Sequence, residues 1–431
     1  MNTTENNTST AQVHYFLVPS TMSSPMEHQE EIISTTTVQA ATNEGFDYSK
    51  LIDQFGSEPV QQDLIERFEK LTGKKAHPFL KRGIFFSHRD LHKLLDHYEN
   101  GKMFYLYTGR GPSSDSMHLG HLVPFMFTKY LQDAFQVPLV IQLTDDEKHL
   151  MQELDFQQVR NMMIENVKDI IACGFDMRKT FIFSNFDYMG YLYKTVVQIE
   201  KCVTTSQVKG VFGFNDSDNI GKMSFPAIQA APSFYTSFPH IFSVQQDAFQ
   251  NLESTMKENN GKNMDSIMCL IPCAIDQDPY FRLTRDVAPK LGFPKPVLVH
   301  GKFLPSLQGA KTKMASSDKN SAIFLTDSNA VIASKVAGSF SGGGASKELH
   351  EKFGANLKVD VPFKLLEFFL EDDQQLEQVR EEYSKGIMLT SQIKKLAFEV
   401  VSKLVKEHQE RRARITEEEL KEFMSVRKLD F

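Results

Sequence analysis

Between Met103 and Leu143 the chain passes from an apolar run through a glycine-rich turn into an amphipathic stretch, and then into a second apolar run. MFYLY (103–107), close to Gly101 and Gly109, reads as a buried strand. TGRGPSS (108–114) is a loop, and Ser114, Asp115 and Ser116 offer helix caps. Leu119, Leu122, Val123, Met126 and Tyr130 then recur at helical spacing, and LVIQL (139–143) reads as the next strand. Strand, loop, helix and strand within about 40 residues make a βαβ unit, which requires two parallel strands joined by a crossover.

The alternation continues. Val159, Met162, Met163, Val167, Ile170 and Ile171 form another helical stripe, and FIFS (181–184), CLIPCAI (269–275), PVLVH (296–300) and AIFLT (322–326) are further strand candidates. The expected fold is α/β, a doubly wound Rossmann-like parallel sheet whose ligands bind beyond the carboxyl ends of the strands. After SGGGAS (341–346) only helical patterning remains, as in Ile393, Leu396, Ala397, Val400, Val401, Leu404 and Val405. The expected organisation is a disordered acidic Ser/Thr-rich tail over 1–45, an N-terminal extension packed on the catalytic domain over 46–102, a catalytic domain over 103–345 and a helical domain over 346–431. Residues 243–266 are polar and read as a loop insertion.

Charge and cysteine usage narrow the class of partner. The net charge of −7 looks unsuited to a nucleic-acid binder, but residues 1–45 hold five acids and no Lys or Arg. Without that −5 the remaining 386 residues carry only −2, so a local basic surface is compatible with the composition. TGKKAHPFLKRGIFFSHRD offers Lys74, Lys75, Lys81, Arg82 and Arg89, and EHQERRARIT offers Arg411, Arg412 and Arg414. Either set suits phosphate or a solvated face. Four cysteines are too few for a disulfide scaffold, and Cys269 and Cys273 sit in an apolar run as inert buried thiols. No run approaches a membrane span, and the first 45 residues lack the basic region of a leader. A cytoplasmic protein is expected, with neither membrane nor DNA as partner.

Two short motifs carry chemistry. HLGH, His118 to His121, opens the first crossover helix, where two imidazoles at i, i+3 share a face beside the positive end of the helix dipole. KMASS, Lys313 to Ser317, places one lysine among small residues, as a mobile phosphate clamp needs. With a helical domain after them, in that order, these motifs resemble those of the class I aminoacyl-tRNA synthetases. GRGPSSDSMHLGH, VPLVIQLTDDEK, VKGVFGFNDSD, FPAIQAAPSF, CAIDQDPYFRLTRDVAPK and LQGAKTKMASSD are similar to the eukaryotic cytoplasmic branch of that family specific for tryptophan. The resemblance runs from about Phe46 to Phe431. One departure stands out: Ser316 occupies the place of the family's second motif lysine.

The resemblance implies ATP-dependent activation of L-tryptophan and transfer to the 3′ end of tRNA(Trp), with Mg²⁺, a homodimer, and anticodon binding by the helical domain. It implies catalytic roles for His118, His121 and Lys313, and an ATP site built from Thr108, Gly109, Arg110, Gly111, His118, Gly120, His121, Lys313, Met314, Ser316 and Ser317. It places Tyr107 and Gln142 at the indole nitrogen, and Glu147, Gln229 and Gln277 around the amino acid's ammonium and carboxylate. No metal-ligand set is expected in the protein. The rivals are a tyrosine-specific synthetase of the same class, a small-substrate nucleotidylyltransferase with an HxGH motif, and a non-catalytic RNA-binding descendant. The chain has 47 aromatic residues, 35 Phe and 12 Tyr, and no Trp; Tyr and Phe are expected to fill the packing positions that Trp would occupy.

Overall fold

The computed structural model describes residues 31–33, 38–242 and 267–431. The 243–266 insertion and most of the expected tail therefore lie outside the described residues. The short strands β1 (Ile32–Ile33) and β2 (Val38–Gln39) come first, followed by β3 (Glu58–Pro59), β4 (Phe85–Arg89), β5 (Phe104–Arg110), β6 (Leu139–Leu143) and β7 (Thr180–Ser184). Then come β8 (Met268–Ala274), β9 (Val297–Gly301), β10 (Pro305–Ser306) and β11 (Gly309–Lys313).

Seven strands form one sheet in the order β3-β4-β9-β8-β5-β6-β7. From β9 to β7 every neighbour is parallel. Helices on both faces bury these strands, which explains their nearly continuous apolar character. The chain leaves β5 toward β6 and β7, then returns to add β8 and β9 on the other side, so the winding reverses beside β5. A crevice opens there, beyond the carboxyl ends of β5, β6 and β8.

Three features depart from the sequence reading. FFSHR, within the basic stretch, forms β4 and pairs antiparallel with both β3 and β9, so the N-terminal extension supplies the last two strands on that side, with β3 at the edge. AIFLT is not a sheet strand. It lies across the start of the first crossover helix (Leu119–Phe135), where the Leu119 N–H reaches the Ile323 carbonyl at 3.0 Å and the Leu325 N–H reaches that of Met117 at 2.9 Å. Ala322, Ile323 and Leu325 are fully buried, which accounts for the apolar run without a sheet. Finally, structure begins before Phe46: β2 pairs with β11 through Gln39 and Thr312, and the Ala40 N–H meets the Lys311 carbonyl at 2.9 Å. An edge strand with unpaired backbone groups recruits a partner.

The C-terminal helices Val361–Phe369, Asp373–Ser384, Thr390–Arg412 and Glu417–Met424 follow, as the patterning predicts. One apolar core includes Leu119, Met163 and Ile323 as well as Leu366, Ile393 and Val401, so it runs without a break past SGGGAS. The three glycines are packed rather than slack. A Cβ on Gly342 would overlap the Asn356 carbonyl, and one on Gly344 would meet the backbone of His350 at 2.5 Å. Asp360, fully buried, accepts from the Gly342 N–H and the Tyr383 hydroxyl, each at 2.8 Å.

Candidate active site

The crevice is a cleft of about 330 Å³, within the range of small-ligand sites. Every residue expected in the site lines it except Ser316 and Ser317. Strand β5 brings Tyr107, Thr108, Gly109 and Arg110 to the floor, with Gly111 just beyond, and β6 brings Gln142. TGR thus continues the strand, instead of starting the loop as the Gly-Pro content suggests.

His118 precedes the first crossover helix and His121 lies in its first turn, with their rings stacked at 3.5 Å and 23°. Gly120 makes this possible, since a Cβ there would stand 3.1 Å from the His118 ring. His121 Nε2 lies 3.2 Å from Arg110 Nη1. A guanidinium only donates, so Nε2 accepts there, while the His118 backbone N–H reaches His121 Nδ1 at 3.4 Å. Arg110 Nε donates to Asn166 Oδ1 at 3.0 Å, while Arg110 Nη2 and both ring nitrogens of His118 are buried without partners.

Burial, with Arg110 and Lys313 nearby, pulls the His118 imidazole down to about 3. Burial and then Arg110 hold His121 well below the usual histidine range. Burial also lowers the Arg110 guanidinium to about 10, so it stays charged. Two neutral imidazoles and one cation with spare hydrogens at a helix N-terminus suit an incoming anion.

The segment before His118 is tied from behind. The Met117 N–H donates to Asp169 Oδ2 at 3.1 Å. Asp169 Oδ1 lies 3.3 Å from His408 Nε2 and 2.8 Å from Arg412 Nε, both on the helix Thr390–Arg412. Arg411 Nε donates to the Ala172 carbonyl at 2.7 Å, so two of the three arginines considered for an RNA face dock this helix instead. Arg89 is likewise engaged with the buried Asp278, at 2.8 Å, and Arg82 with Asp373, at 2.6 Å.

Lys313 ends β11 rather than standing in a loop, and pairs with Asp276 at the turn after β8. Its ammonium lies 5.2 Å from the Phe303 ring centre. Met314 is buried and would lie 3.6 Å from a Gly120 Cβ, which brings KMASS against HLGH. Ser316 does not line the cleft, its hydroxyl being buried and unpartnered, and Ser317 is exposed.

At the inner end, the Tyr107 hydroxyl lies 2.6 Å from Gln142 Oε1 and 2.9 Å from the Gln229 carbonyl. The Phe281 ring meets Tyr107 edge-on at 5.9 Å. Gln142 Nε2 donates to Asn185 Oδ1 at 2.8 Å, and Asn185 Nδ2 donates to Asp146 Oδ1 at 2.7 Å. Burial raises the Asp146 carboxyl to about 7, against the opposing Asn185 and Glu147 N–H bonds. Nearer the mouth, Glu147 Oε2 accepts from the Thr144 hydroxyl at 2.8 Å and meets Lys148 at 2.9 Å. Gln229 Nε2 donates to Gln277 Oε1 at 3.4 Å.

The sequence reading missed Asp146, Lys148, Asp169, Asn185 and Asp276. Lys148 and Asp146 sit in TDDEK and Asp276 in AIDQ, so adjacency to Glu147 and Gln277 was an available signal. Asn185 and Asp169 act across more than 40 residues of sequence and left none. Among the described residues one cluster has metal-ligand reach, Glu58, His88 and His92, at the far sheet edge. His88 Nδ1 accepts the Leu91 N–H at 3.2 Å, which leaves the proton on Nε2 and opposes coordination there.

A family model described as tRNA synthetases class I (W and Y) matches residues 99–406. The cytoplasmic tryptophan–tRNA ligase of Homo sapiens is 57% identical over 409 residues, covering 94% of this chain and 83% of that protein. The cytoplasmic tryptophan–tRNA ligase of Dictyostelium discoideum is 52% identical over 406 residues, covering 94% and 98%. A solved tryptophanyl-tRNA synthetase from Giardia lamblia superposes with a TM-score of 0.81 at 45% identity, covering 88% of this chain and 95% of that one.

Proposed function

Since the chain belongs to the class I tRNA synthetases of the tryptophan and tyrosine group, we propose that its cleft joins ATP to an amino acid and passes the product to tRNA. The chain is a tryptophan–tRNA ligase that activates L-tryptophan with ATP and charges tRNA(Trp). Its relatives are cytoplasmic enzymes, and the same location is assigned here. The observation that carries the site reading is that HLGH, Lys313 and the buried Tyr107–Gln142 pair open on one cleft.

The amino-acid carboxylate is itself the nucleophile. Its oxygen bonds to the α-phosphorus of ATP, the bond to the bridging oxygen breaks, and pyrophosphate leaves with the electron pair. The terminal ribose hydroxyl of tRNA then attacks the acyl carbon and releases AMP. Neither step needs a protein nucleophile, so catalysis is orientation plus charge stabilisation. Arg110 and Lys313 supply charge to the phosphates, and His118 and His121 supply N–H donors. Thr108, Gly109, Gly111 and Gly120 let the nucleotide approach the backbone, and Met314 packs KMASS on the helix start. Ser316 and Ser317 are proposed to reach ATP only if KMASS shifts, since neither lines the cleft.

Tyr107 and Gln142 take the indole ring nitrogen, because a buried N–H without an acceptor is costly. Glu147, Gln229 and Gln277 take the ammonium and carboxylate. Mg²⁺ enters as part of the nucleotide substrate: the cleft's two acids, Glu147 and Asp276, already face lysines, so the ion's ligands are phosphate oxygens and water.

A homodimer is proposed on the outer face of the helix Asn185–Cys202. Phe186, Tyr193 and Val197 are 45%, 61% and 43% exposed there, beside the 62% exposed Phe156. Such a patch suits a protein interface. Pyrophosphate exchange with tryptophan, tyrosine and phenylalanine tests the substrate assignment, and exchange driven best by tyrosine would overturn it. Because the chain has no Trp, emission excited in the indole band reports bound substrate directly.

A further inference from the structure

Three groups at the inner end of the cleft can each be turned around without losing shape: the Tyr107 hydroxyl and the amides of Gln142 and Asn185. The Tyr107 hydroxyl has one proton and stands near two acceptors, Gln142 Oε1 at 2.6 Å and the Gln229 carbonyl at 2.9 Å. If Gln142 were reversed, its Nε2 would donate to the Tyr107 oxygen, and Tyr107 would donate to Gln229 instead. Tyr107 is satisfied either way and does not decide which face Gln142 shows.

The decision comes from the other side. Gln142 Nε2 is held by Asn185 Oδ1 at 2.8 Å, with the Ile228 carbonyl at 3.3 Å as a longer contact of the same polarity. Asn185 is also an amide, and its orientation is set by Asp146 Oδ1, which accepts its Nδ2 at 2.7 Å. Asp146 Oδ1 accepts the backbone N–H of Glu147 at 2.8 Å as well, and a backbone N–H cannot be reversed. This oxygen is therefore an acceptor whether or not the other oxygen, buried and unpartnered, carries a proton. Polarity runs from the Glu147 backbone through Asp146 and Asn185 to Gln142.

We infer that Asn185 and Asp146 are specificity-determining positioning residues, which keep the Gln142 carbonyl oxygen facing Tyr107 and the cleft so that it accepts the ring N–H of the amino acid. This rests on the assignment of Gln142 to the indole nitrogen. Without the relay only the longer Ile228 carbonyl contact opposes a reversed Gln142, which presents N–H against N–H, and the preference for a ring that carries a donor is weakened.

The test compares kcat/KM in pyrophosphate exchange for tryptophan and for its benzothienyl analogue, in which sulfur replaces the ring N–H. Asn185→Ala and Asp146→Ala should lower the tryptophan-to-analogue ratio by about tenfold, with the KM for ATP unchanged. Asp146→Asn keeps a carbonyl oxygen for the Glu147 N–H and should retain the wild-type ratio. Asn185→Thr removes the amide while keeping a polar side chain, and should move the ratio in the direction of Asn185→Ala. Equal losses for both amino acids in the Asn185 variants would overturn the inference, provided Gln142→Ala does shift the ratio. So would Asp146→Asn behaving like Asp146→Ala. A Gln142→Ala enzyme with an unchanged ratio would instead remove the indole assignment, and the inference with it.

Discussion

Replacing Asp169 by Ala removes the acid that joins the C-terminal helices to the start of HLGH. Its carboxylate is fully buried and faces the Met117 N–H at 3.1 Å, His408 Nε2 at 3.3 Å and Arg412 Nε at 2.8 Å. Breaking a buried ion pair from one side typically costs ~3–5 kcal/mol. Arg412 keeps a second acid, Glu165, and is 23% exposed, which favours the lower end. The Met117 N–H is left buried without an acceptor, at ~1–3 kcal/mol, and the terms are not fully additive. A net loss of about 4 kcal/mol is expected. Urea unfolding followed by far-ultraviolet circular dichroism suits a chain without Trp. Asp169→Asn keeps an oxygen for the Met117 N–H and should recover about 1–2 kcal/mol of that loss. The same anchor holds the backbone just before His118, so Asp169→Ala should also slow pyrophosphate exchange by roughly 10- to 100-fold at temperatures where it stays folded. A destabilisation by Asp169→Ala below about 1 kcal/mol would refute the buried-network reasoning.

Other expectations follow from the same geometry. His121→Ala should slow pyrophosphate exchange by ~10²–10³, as losing one transition-state donor does, and unchanged exchange would remove His121 from the phosphates. His118 is held near 3 by burial, so the unfolded chain takes up a proton below the ordinary value near 6.5 that the folded chain refuses. Its contribution is fully present above 6.5 and lost as pH falls, by about 1.4 kcal/mol for the first unit; the non-titrating His118→Asn should flatten that part of the pH–stability curve, and an identical slope would count against it. Gly342→Ala should destabilise by about 1–3 kcal/mol in thermal unfolding, because the added Cβ meets the Asn356 carbonyl.

The parallel sheet was legible because each of its strands is a continuous apolar run and the first crossover helix has a clean stripe. Periodicity failed where burial has another cause. AIFLT is apolar because it lies under HLGH, and FFSHR carries charges that find buried partners, Arg89 with Asp278 among them. The cleft-lining residues were legible through the resemblance, since HLGH and KMASS alone are short and common patterns. The groups behind them were not. Asp169 and Asn185 act through hydrogen bonds to residues distant in sequence, and nothing in their own neighbourhood marks an Asp or Asn as a partner of Met117 or Gln142.

The packed glycines of SGGGAS bear on how the helical end is joined to the rest of the molecule. A run that reads as a slack tether is a fastening, clamped by Asp360 and with no room for a methyl group at Gly342 or Gly344. The helical end is therefore fastened to the sheet through one continuous core rather than hung from a loose linker. Thr390–Arg412 in turn meets Asp169, which holds the backbone before His118, so the helical end and the start of HLGH share one buried anchor.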